Sequence, residues 1–173
     1  MKYLTKEQFL ERVEQLKNLV PTHWDNKIYK PNQPKSIDRW SYHEKAVEIL
    51  KKINPKNILE AGSLGIFLTD ESDSIDLDMP EWGWKLTYAP TYYHDLRIIP
   101  WADIKDKQYE VFVALRVFHH MKDEEKYLKE MERISDHIIL AFPQYASDIY
   151  EKIRKPVEKY HFDDTDTTVI YYH

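Results

Sequence analysis

The sequence predicts an α/β fold: a doubly wound, mostly parallel sheet in a three-layer sandwich, closed by a C-terminal antiparallel hairpin. From about residue 54 onward, short apolar runs alternate with polar, helical stretches, which is the pattern of strands joined by crossovers. The apolar runs are continuous rather than alternating, as expected of strands that are buried on both faces. A chain of 173 residues is long enough for one such domain with its own core.

The predicted domain begins with a helical lead-in. We expect one domain over residues 1–173, divided into the lead-in at 1–53 and the α/β core at 54–173. Thr5 and Gln8 have the spacing of a capping box and predict the start of a first helix, which continues in apolar residues at helical spacing.

Two further segments complete the lead-in. The stretch 21–35 contains three prolines and is expected to be extended. A second helix is predicted to begin at Ile37 or Ser41 and to end at Ile53, because the pair Asn54-Pro55 that follows terminates helices.

Five apolar runs predict the strands of the core, and the tail predicts two more. The runs lie at 57–61, 74–77, 91–94, 110–115 and 137–142. An amphipathic helix with acidic residues in its first turn is expected over 123–134. In the tail, an aspartate-rich cluster at 163–166 separates the apolar segments 157–162 and 167–172 and predicts the closing hairpin.

Composition excludes several classes of function. The chain has no cysteine, which excludes disulfides and thiolate chemistry and is typical of a reducing interior, so we expect a cytoplasmic location. Its apolar runs are too short to cross a bilayer, and no apolar segment of signal-peptide length follows Met1, so we expect no membrane association. The 25 Lys and Arg against 30 Asp and Glu give a formal charge of −5, which argues against a nucleic-acid partner.

Two clusters leave alternatives open. Cations gather loosely between Lys27 and Arg39, and a nucleic-acid modifier that docks on this strip is the alternative that the acidic balance disfavours. Aromatic residues crowd the segment 82–93, where a packed loop covering the sheet is favoured over a wall that stacks on a ligand. This segment and the first helix are also candidate lids, because variable segments over a fixed sheet set selectivity.

Polar residues follow the predicted strands and mark the expected site. In an open parallel sheet, ligands bind beyond the carboxyl ends of the strands. An acid that ends the second strand can accept hydrogen bonds from both hydroxyls of a ribose, and Asp76 or Asp78 is in that position. Gly62 after the first strand lets the backbone approach a ligand closely. Asp95 follows the third strand and either contacts the ligand or caps a turn.

The same residues carry a family resemblance. Glu60-Ala61-Gly62-Ser63 is similar to motif I of the class I, Rossmann-like S-adenosylmethionine-dependent methyltransferases, and Asp76 stands where that family has its ribose-binding acid. His94-Asp95-Leu96 resembles the family's adenine-side segment. The run 108–120 resembles the fourth strand and following loop of the small-molecule, type 11-like subgroup. The resemblance covers residues 57–143, about half of the chain.

The resemblance implies a cofactor and a reaction. It implies that S-adenosylmethionine is the cofactor and that its methyl group passes to an oxygen or nitrogen of a small-molecule acceptor. The implied cofactor-binding residues are Glu60, Gly62, Ser63, Asp76, Asp95, Leu96 and Arg116. His120 would act as the base if the nucleophile carries a proton. The adjacent pair His119-His120 does not indicate a metal site, because neighbouring side chains point different ways and no acid-histidine spacing completes one.

Motif I departs from the family's pattern, so we expect it to be degenerate. Leu64 and Ile66 occupy the second and third glycine positions, and Gly65 lies displaced between them. Bulky residues rarely adopt a positive φ, and their side chains are expected to fill space that the methionine part of the cofactor would use. The connection after Gly62 is also short for a crossover helix. The alternative function is therefore a catalytically inactive, methyltransferase-like binding or partner protein.

Overall fold

A seven-stranded mixed sheet with helices on both faces confirms the predicted α/β fold. The computed structural model describes residues 1–19, 39–80 and 85–173. The predicted extended stretch at 21–35, the cationic strip from Lys27 up to residue 38, and Trp82 and Trp84 of the aromatic segment lie outside the described residues.

The first five strands of the sheet are parallel, and the last two form an antiparallel hairpin. The parallel strands are β1 (Ile58–Ala61), β2 (Asp73–Asp76), β3 (Tyr92–Tyr93), β4 (Tyr109–Leu115) and β5 (Ser135–Phe142). The hairpin consists of β6 (Glu158–Phe162) and β7 (Thr167–Tyr172). The order across the sheet is β3-β2-β1-β4-β5-β7-β6, so the order reverses between β1 and β4. A crevice is expected at that point, beyond the carboxyl ends of the two strands.

The described ranges contain four α-helices: α1 (Lys6–Leu19), α2 (Trp40–Ile53), α3 (Glu124–Ile134) and α4 (Gln144–Ile153). The predicted capping box opens α1, since the Thr5 amide donates to Gln8 Oε1 at 3.0 Å and the Gln8 amide donates to Thr5 Oγ1 at 3.3 Å. The pattern does not predict α4, because its buried face consists of Ala146, Ser147 and Tyr150, of which only the tyrosine is large. In the described part of the chain, no helix combines the length and the apolar character that crossing a membrane requires.

Both faces of the central strands are buried, which explains their continuous apolar runs. On β4, Phe112 and Ala114 pack in the cluster beneath α3 and α4, while Val111 and Val113 pack in the cluster beneath α2. β5 and β7 alternate between the two clusters in the same way. Full burial of a valine, leucine, isoleucine or phenylalanine side chain contributes about 1.5–3 kcal/mol to the stability of the fold.

The connection between β1 and β2 contains turns where a crossover helix is common. This agrees with the expectation that the segment is too short for such a helix. Ile66 of this connection packs with Phe9 and Val13 of α1. α1 therefore packs directly against this connection.

An ion pair on α3 anchors the connection between β3 and β4. Glu130 accepts a hydrogen bond from the Trp101 amide at 2.7 Å, and Arg133 donates to Glu130 at 2.6 Å. Arg133 also donates to the Ile104 carbonyl at 2.8 Å. These bonds fix the loop that follows β3 and carries Asp95 and Leu96.

Candidate functional site

A small cavity lies at the carboxyl edge of the sheet, near the point where the strand order reverses. Its walls come from the ends of β2 and β4 and from the segment after β3; the lining residues are Asp76, Leu77, Met79, His94, Leu96, Val117, His120 and Met121. The structure thus brings Asp76, Leu96 and His120, three of the predicted site residues, to one cavity. Its volume of about 20 Å³ has room for about one water molecule.

The Asp76 carboxylate is held by donors of the protein itself. Asp76 is only 2% exposed, and its Oδ2 accepts a hydrogen bond from the Tyr88 hydroxyl at 2.6 Å. The Leu77 amide donates to Oδ1 at 2.9 Å, and the Leu64 amide also donates to this carboxylate. Burial raises the pKa of Asp76 to about 6, and the three donors oppose the rise. Asp76 therefore bonds to protein groups where the sequence predicts the hydroxyls of a ligand.

Tyr88 is a site residue that the sequence prediction missed. Besides donating to Asp76, its hydroxyl lies 3.3 Å from Ser63 Oγ, and its ring packs edge-on against Phe67 at 5.0 Å. Burial and the neighbouring carboxylate raise the pKa of Tyr88, so the hydroxyl keeps its proton. The only sequence signal for Tyr88 is the group of aromatic residues at 82–93, which favours a packed loop. Tyr88 packs in that way, and its hydroxyl also occupies one oxygen of the Asp76 carboxylate.

Val117 closes the cavity over Gly62. Gly62 has a φ of +61°, and a Cβ built on it would lie 2.7 Å from Val117 Cγ2. Val117 is 5% exposed and lines the cavity. The glycine after β1 therefore admits the Val117 side chain, at the position where the family resemblance implies the approach of a cofactor.

The motif I replacements do not fill the cavity. Leu64 adopts a φ of 55°, so the expectation that a leucine would avoid positive φ is wrong at this residue. Its backbone takes a conformation that costs about 1–2 kcal/mol for a residue with a Cβ. The Leu64 and Ile66 side chains belong to a cluster with Phe9 and Trp40, and neither residue lines the cavity. Val117 lines the cavity instead, and Tyr88 bonds to its Asp76 carboxylate.

Glu60 is placed away from the cavity. It is 3% exposed, and its two carboxylate oxygens accept hydrogen bonds from the Leu68 amide at 2.8 and 3.1 Å. Burial raises the pKa of Glu60 to about 7, and hydrogen bonds from Ser72 and from the amides of Leu68 and Thr69 oppose the rise. The side chain holds the short connection between β1 and β2 in place.

Asp95 caps a turn, which is one of the two roles that the sequence predicts for it. The Arg97 amide donates to Asp95 Oδ1 at 2.9 Å, and the Arg97 guanidinium donates to Oδ2 at 2.6 Å. The hydrogen bonds from Arg97 lower the pKa of Asp95. This turn positions the next residue, Leu96, which is 3% exposed and lines the cavity.

Arg116 and His120 both follow β4, and only His120 reaches the cavity. The Arg116 guanidinium donates to the Asp166 carbonyl at 3.1 Å and to Thr167 Oγ1 at 3.4 Å, at the start of β7. Burial and the charge of Arg116 lower the pKa of His120, which favours the neutral imidazole that a base requires. Within the described ranges, no group of three or more His, Asp or Glu side chains is arranged to hold a metal ion.

A larger groove of about 630 Å³ runs between α1 and the connection that follows β1. Arg12 of α1 lines it, and its guanidinium donates to the Gly65 carbonyl at 2.9 Å and to Thr87 Oγ1 at 3.2 Å. Tyr88 lines the same groove while its hydroxyl bonds to Asp76 in the small cavity. Tyr88 therefore stands between the two spaces.

The fold is similar to that of solved methyltransferase structures. One is the N-methyltransferase NodS from Bradyrhizobium japonicum in complex with S-adenosyl-L-homocysteine, with a TM-score of 0.58 and 12% identity over 90% of this chain and 96% of that chain. Another is a putative S-adenosyl-L-methionine-dependent methyltransferase from Methanococcus maripaludis, with a TM-score of 0.56 and 11% identity over 99% of this chain and 94% of that chain.

A third similar structure is an S-adenosylmethionine-dependent methyltransferase from Aquifex aeolicus, with a TM-score of 0.54 and 14% identity over 84% of this chain and 95% of that chain. No protein-family model and no curated protein matches the sequence. At identities of 11–14% the likeness is one of fold. On this likeness and its strand order, the chain has the fold of the class I S-adenosylmethionine-dependent methyltransferases.

Proposed function

We propose that this protein is an S-adenosylmethionine-dependent methyltransferase that acts on an oxygen or nitrogen of a small-molecule acceptor. The observation that carries the proposal is the convergence of Asp76, Leu96 and His120 on one cavity at the carboxyl edge of the sheet. In a sheet whose strand order reverses between β1 and β4, this edge is where ligands bind. The fold, shared with methyltransferases, supports the same function.

The side chains that line the crevice suit a nucleoside, but the cavity between them is too small to hold one. A carboxylate at the end of β2 suits the hydroxyls of a ribose, and Leu77, Met79 and Leu96 offer apolar contacts to a flat base. A cavity of about 20 Å³ does not hold a nucleoside, so binding requires Tyr88 to release Asp76 and to move aside.

We assign roles to the predicted residues on that basis. Asp76 would hold the ribose, Asp95 and Leu96 would form the adenine side, and the backbone at Gly62 and Ser63 would face the remainder of the cofactor. When bound, the cofactor supplies an electrophilic methyl group on a positively charged sulfur. Glu60 would support this site indirectly, through the connection that it holds.

The protein's own contribution is to position the acceptor and to remove a proton. Holding the acceptor nucleophile in line with the methyl group is the main source of acceleration in such a transfer. His120 lines the cavity, is exposed on its outer side and favours the neutral state. It would accept the proton of a nucleophile that carries one.

A second candidate function is a methyltransferase-like binding or partner protein without catalysis. The Tyr88 hydroxyl at 2.6 Å from Asp76 favours it, because this bond fills the position that a ribose hydroxyl needs. The packing of Val117 against Gly62 favours it as well. In this case the closed crevice is the permanent state of the protein.

Calorimetric titration with S-adenosylmethionine and S-adenosylhomocysteine separates the two functions. If the crevice opens, the wild-type protein binds both ligands, and Tyr88→Phe binds them about tenfold more tightly, because opening no longer breaks a hydrogen bond to a carboxylate. Asp76→Ala should weaken binding about tenfold through the lost ribose contacts.

Tyr93→Phe is the matched control for the tyrosine variant. Tyr93 also donates to an aspartate, Asp78, at 3.2 Å, but Tyr93 is 60% exposed and Asp78, unlike Asp76, does not line the cavity. Its removal should leave the affinity unchanged. If neither the wild-type protein nor Tyr88→Phe gives heat at millimolar ligand, methyl transfer is excluded and the partner function remains.

A further inference from the structure

A basic cluster lies at the carboxyl end of β4, across β1 from Asp76. It comprises Arg39, Arg116, His119 and His120. Arg39 precedes α2, and the other three residues follow β4, so two separate parts of the chain bring the cluster together. Burial, followed by the charges of His120, Arg116 and Arg39, lowers the pKa of His119 to about 3.

The backbone fixes Arg116 in an unusual conformation. Arg116 has a φ of 64°, in the left-handed region that non-glycine residues rarely adopt, and its amide donates to the Ala141 carbonyl at 2.7 Å. Such a conformation costs about 1–3 kcal/mol and persists where the surrounding structure enforces it, often at binding sites. It directs the guanidinium toward the start of β7.

The Arg116 guanidinium bonds only to neutral oxygens in the part of the chain that the structure describes. These are the Asp166 carbonyl and Thr167 Oγ1. The negative charge of the Asp166 carboxylate also favours the charged form of Arg116. Its Oδ1, however, accepts a hydrogen bond from the Gln144 amide at 3.3 Å. Burial, with Arg39, lowers the pKa of Arg116. A guanidinium in this setting can form charge-assisted hydrogen bonds to an anion, which are stronger than its present bonds to neutral oxygens.

His119 contributes a second unsatisfied group to the cluster. Its Nδ1 is buried and has no hydrogen-bond partner among the described residues. A buried polar atom without a partner costs about 1–3 kcal/mol. The ring packs against His120 at 3.7 Å, and the backbone carbonyl of His119 accepts a bond from the Tyr145 hydroxyl at 3.4 Å. Tyr145 is 58% exposed, so the cluster borders on solvent.

We propose that the basic cluster binds an oxyanion group, a carboxylate or a phosphate, carried by the acceptor. A guanidinium fork matches the oxygens of either group in a bidentate arrangement, and His119 offers a ring nitrogen as a further donor. His120 belongs both to the cluster and to the lining of the cavity. An anion held at Arg116 thus places the rest of the acceptor beside the crevice. The identification of this anion as part of the acceptor rests on the proposed function.

The test titrates inorganic phosphate and, separately, acetate into the cofactor-free protein at low ionic strength. The ring resonances of His119 and His120 are followed by NMR. Saturable shifts with millimolar dissociation constants are expected for at least one of the two probes. Tighter binding of phosphate would identify a phosphate ester as the acceptor, and tighter binding of acetate would identify a carboxylic acid.

Three variants locate the binding. Arg116→Gln should weaken binding about tenfold or more, because it removes hydrogen bonds between charged groups. Arg116→Lys keeps the charge without the fork and should show intermediate affinity, and it serves as the test if the glutamine variant does not fold. Arg154→Gln is the matched control, since Arg154 is paired with Glu132 and bonds to the His173 carbonyl, and it should bind like the wild type.

Two results would overturn the proposal: no saturable shift up to about 100 mM of either anion, or equal affinity in the wild type and both Arg116 variants. The titration contains no cofactor, so its outcome is independent of the calorimetry. Anion binding without S-adenosylmethionine binding would leave the anion site in place and remove the methyltransferase function. Cofactor binding without anion binding would support the methyltransferase function and remove the anion site.

Discussion

At the scale of single residues, Gly62 meets two constraints that only glycine satisfies together. Its φ of +61° disfavours any residue with a Cβ, and that atom would also lie 2.7 Å from Val117 Cγ2. Val117 is buried at 5% exposure, so it has little room to withdraw. The glycine is therefore required by packing within the protein, whether or not a ligand also contacts it.

Gly62→Ala should lower the free energy of unfolding by about 2 kcal/mol, as the sum of backbone strain and steric overlap. Urea denaturation measures this change. In a cycle with Val117→Ala, the double variant should be about 1 kcal/mol more stable than the two single changes together predict, because the smaller side chain removes the overlap. Strictly additive effects would contradict the steric part of the argument.

Site residues that directly follow a predicted strand could be predicted from the sequence, whereas those in loops could not. Asp76, Leu96 and His120 could be predicted, because the ends of parallel strands meet at one edge. Tyr88 could not, since its bond to Asp76 crosses a loop whose path the pattern does not determine. Arg116 follows β4 as predicted, but its left-handed backbone turns it toward β7.

At the scale of elements, one buried carboxylate holds the connection that replaces a crossover helix. Both carboxylate oxygens of Glu60 accept hydrogen bonds from the Leu68 amide. Burial raises the pKa of Glu60 to about 7, above the ordinary value of 4.5. The folded protein therefore binds this proton more tightly than the unfolded chain does.

The free energy of unfolding should fall as the pH rises from about 5 to about 8, because the unfolded chain loses the Glu60 proton first. This contribution is fully present below pH 4.5 and is lost as the pH passes about 7. Its upper bound is about 3 kcal/mol. Glu60→Gln should show a smaller decrease in urea denaturation over the same range, whereas identical slopes would contradict the assignment. Asp76, with its pKa raised to about 6, contributes in the same direction in both proteins.

The elements themselves differed in how well the pattern predicted them. The central strands are continuous apolar runs, α3 has apolar residues at helical spacing, and the capping box of α1 lies where Thr5 and Gln8 predict it. α4 lacks such a signal, because Ile149 and Ile153 of this helix are exposed at 38% and 39% while small residues face the core.

At the scale of the whole molecule, the last strand of the chain lies inside the sheet. All six residues of β7 are buried, and the strand pairs with β5 on one side and β6 on the other. Its side chains also alternate between the two core clusters. β6 is therefore joined to the rest of the sheet through β7.

Removal of residues 167–173 should abolish cooperative thermal unfolding, because it separates β6 from β5 and exposes both core clusters. Circular dichroism during heating measures this. Removal of His173 alone, which is exposed, is the control and should shift the midpoint by no more than about 4 °C. A cooperative transition in the longer truncation would show that β7 is dispensable.

The α/β class, the seven strands and the edge where Asp76 and Leu96 meet could be predicted, because apolar runs and the residues at strand ends are local properties of the chain. The bond from Tyr88 to Asp76, the packing of Val117 on Gly62 and the place of Arg116 beside β7 emerge only in the folded protein. These contacts join residues from different elements and depend on the direction of each side chain. Local sequence patterns contain no information about contacts between distant elements or about the direction of a side chain.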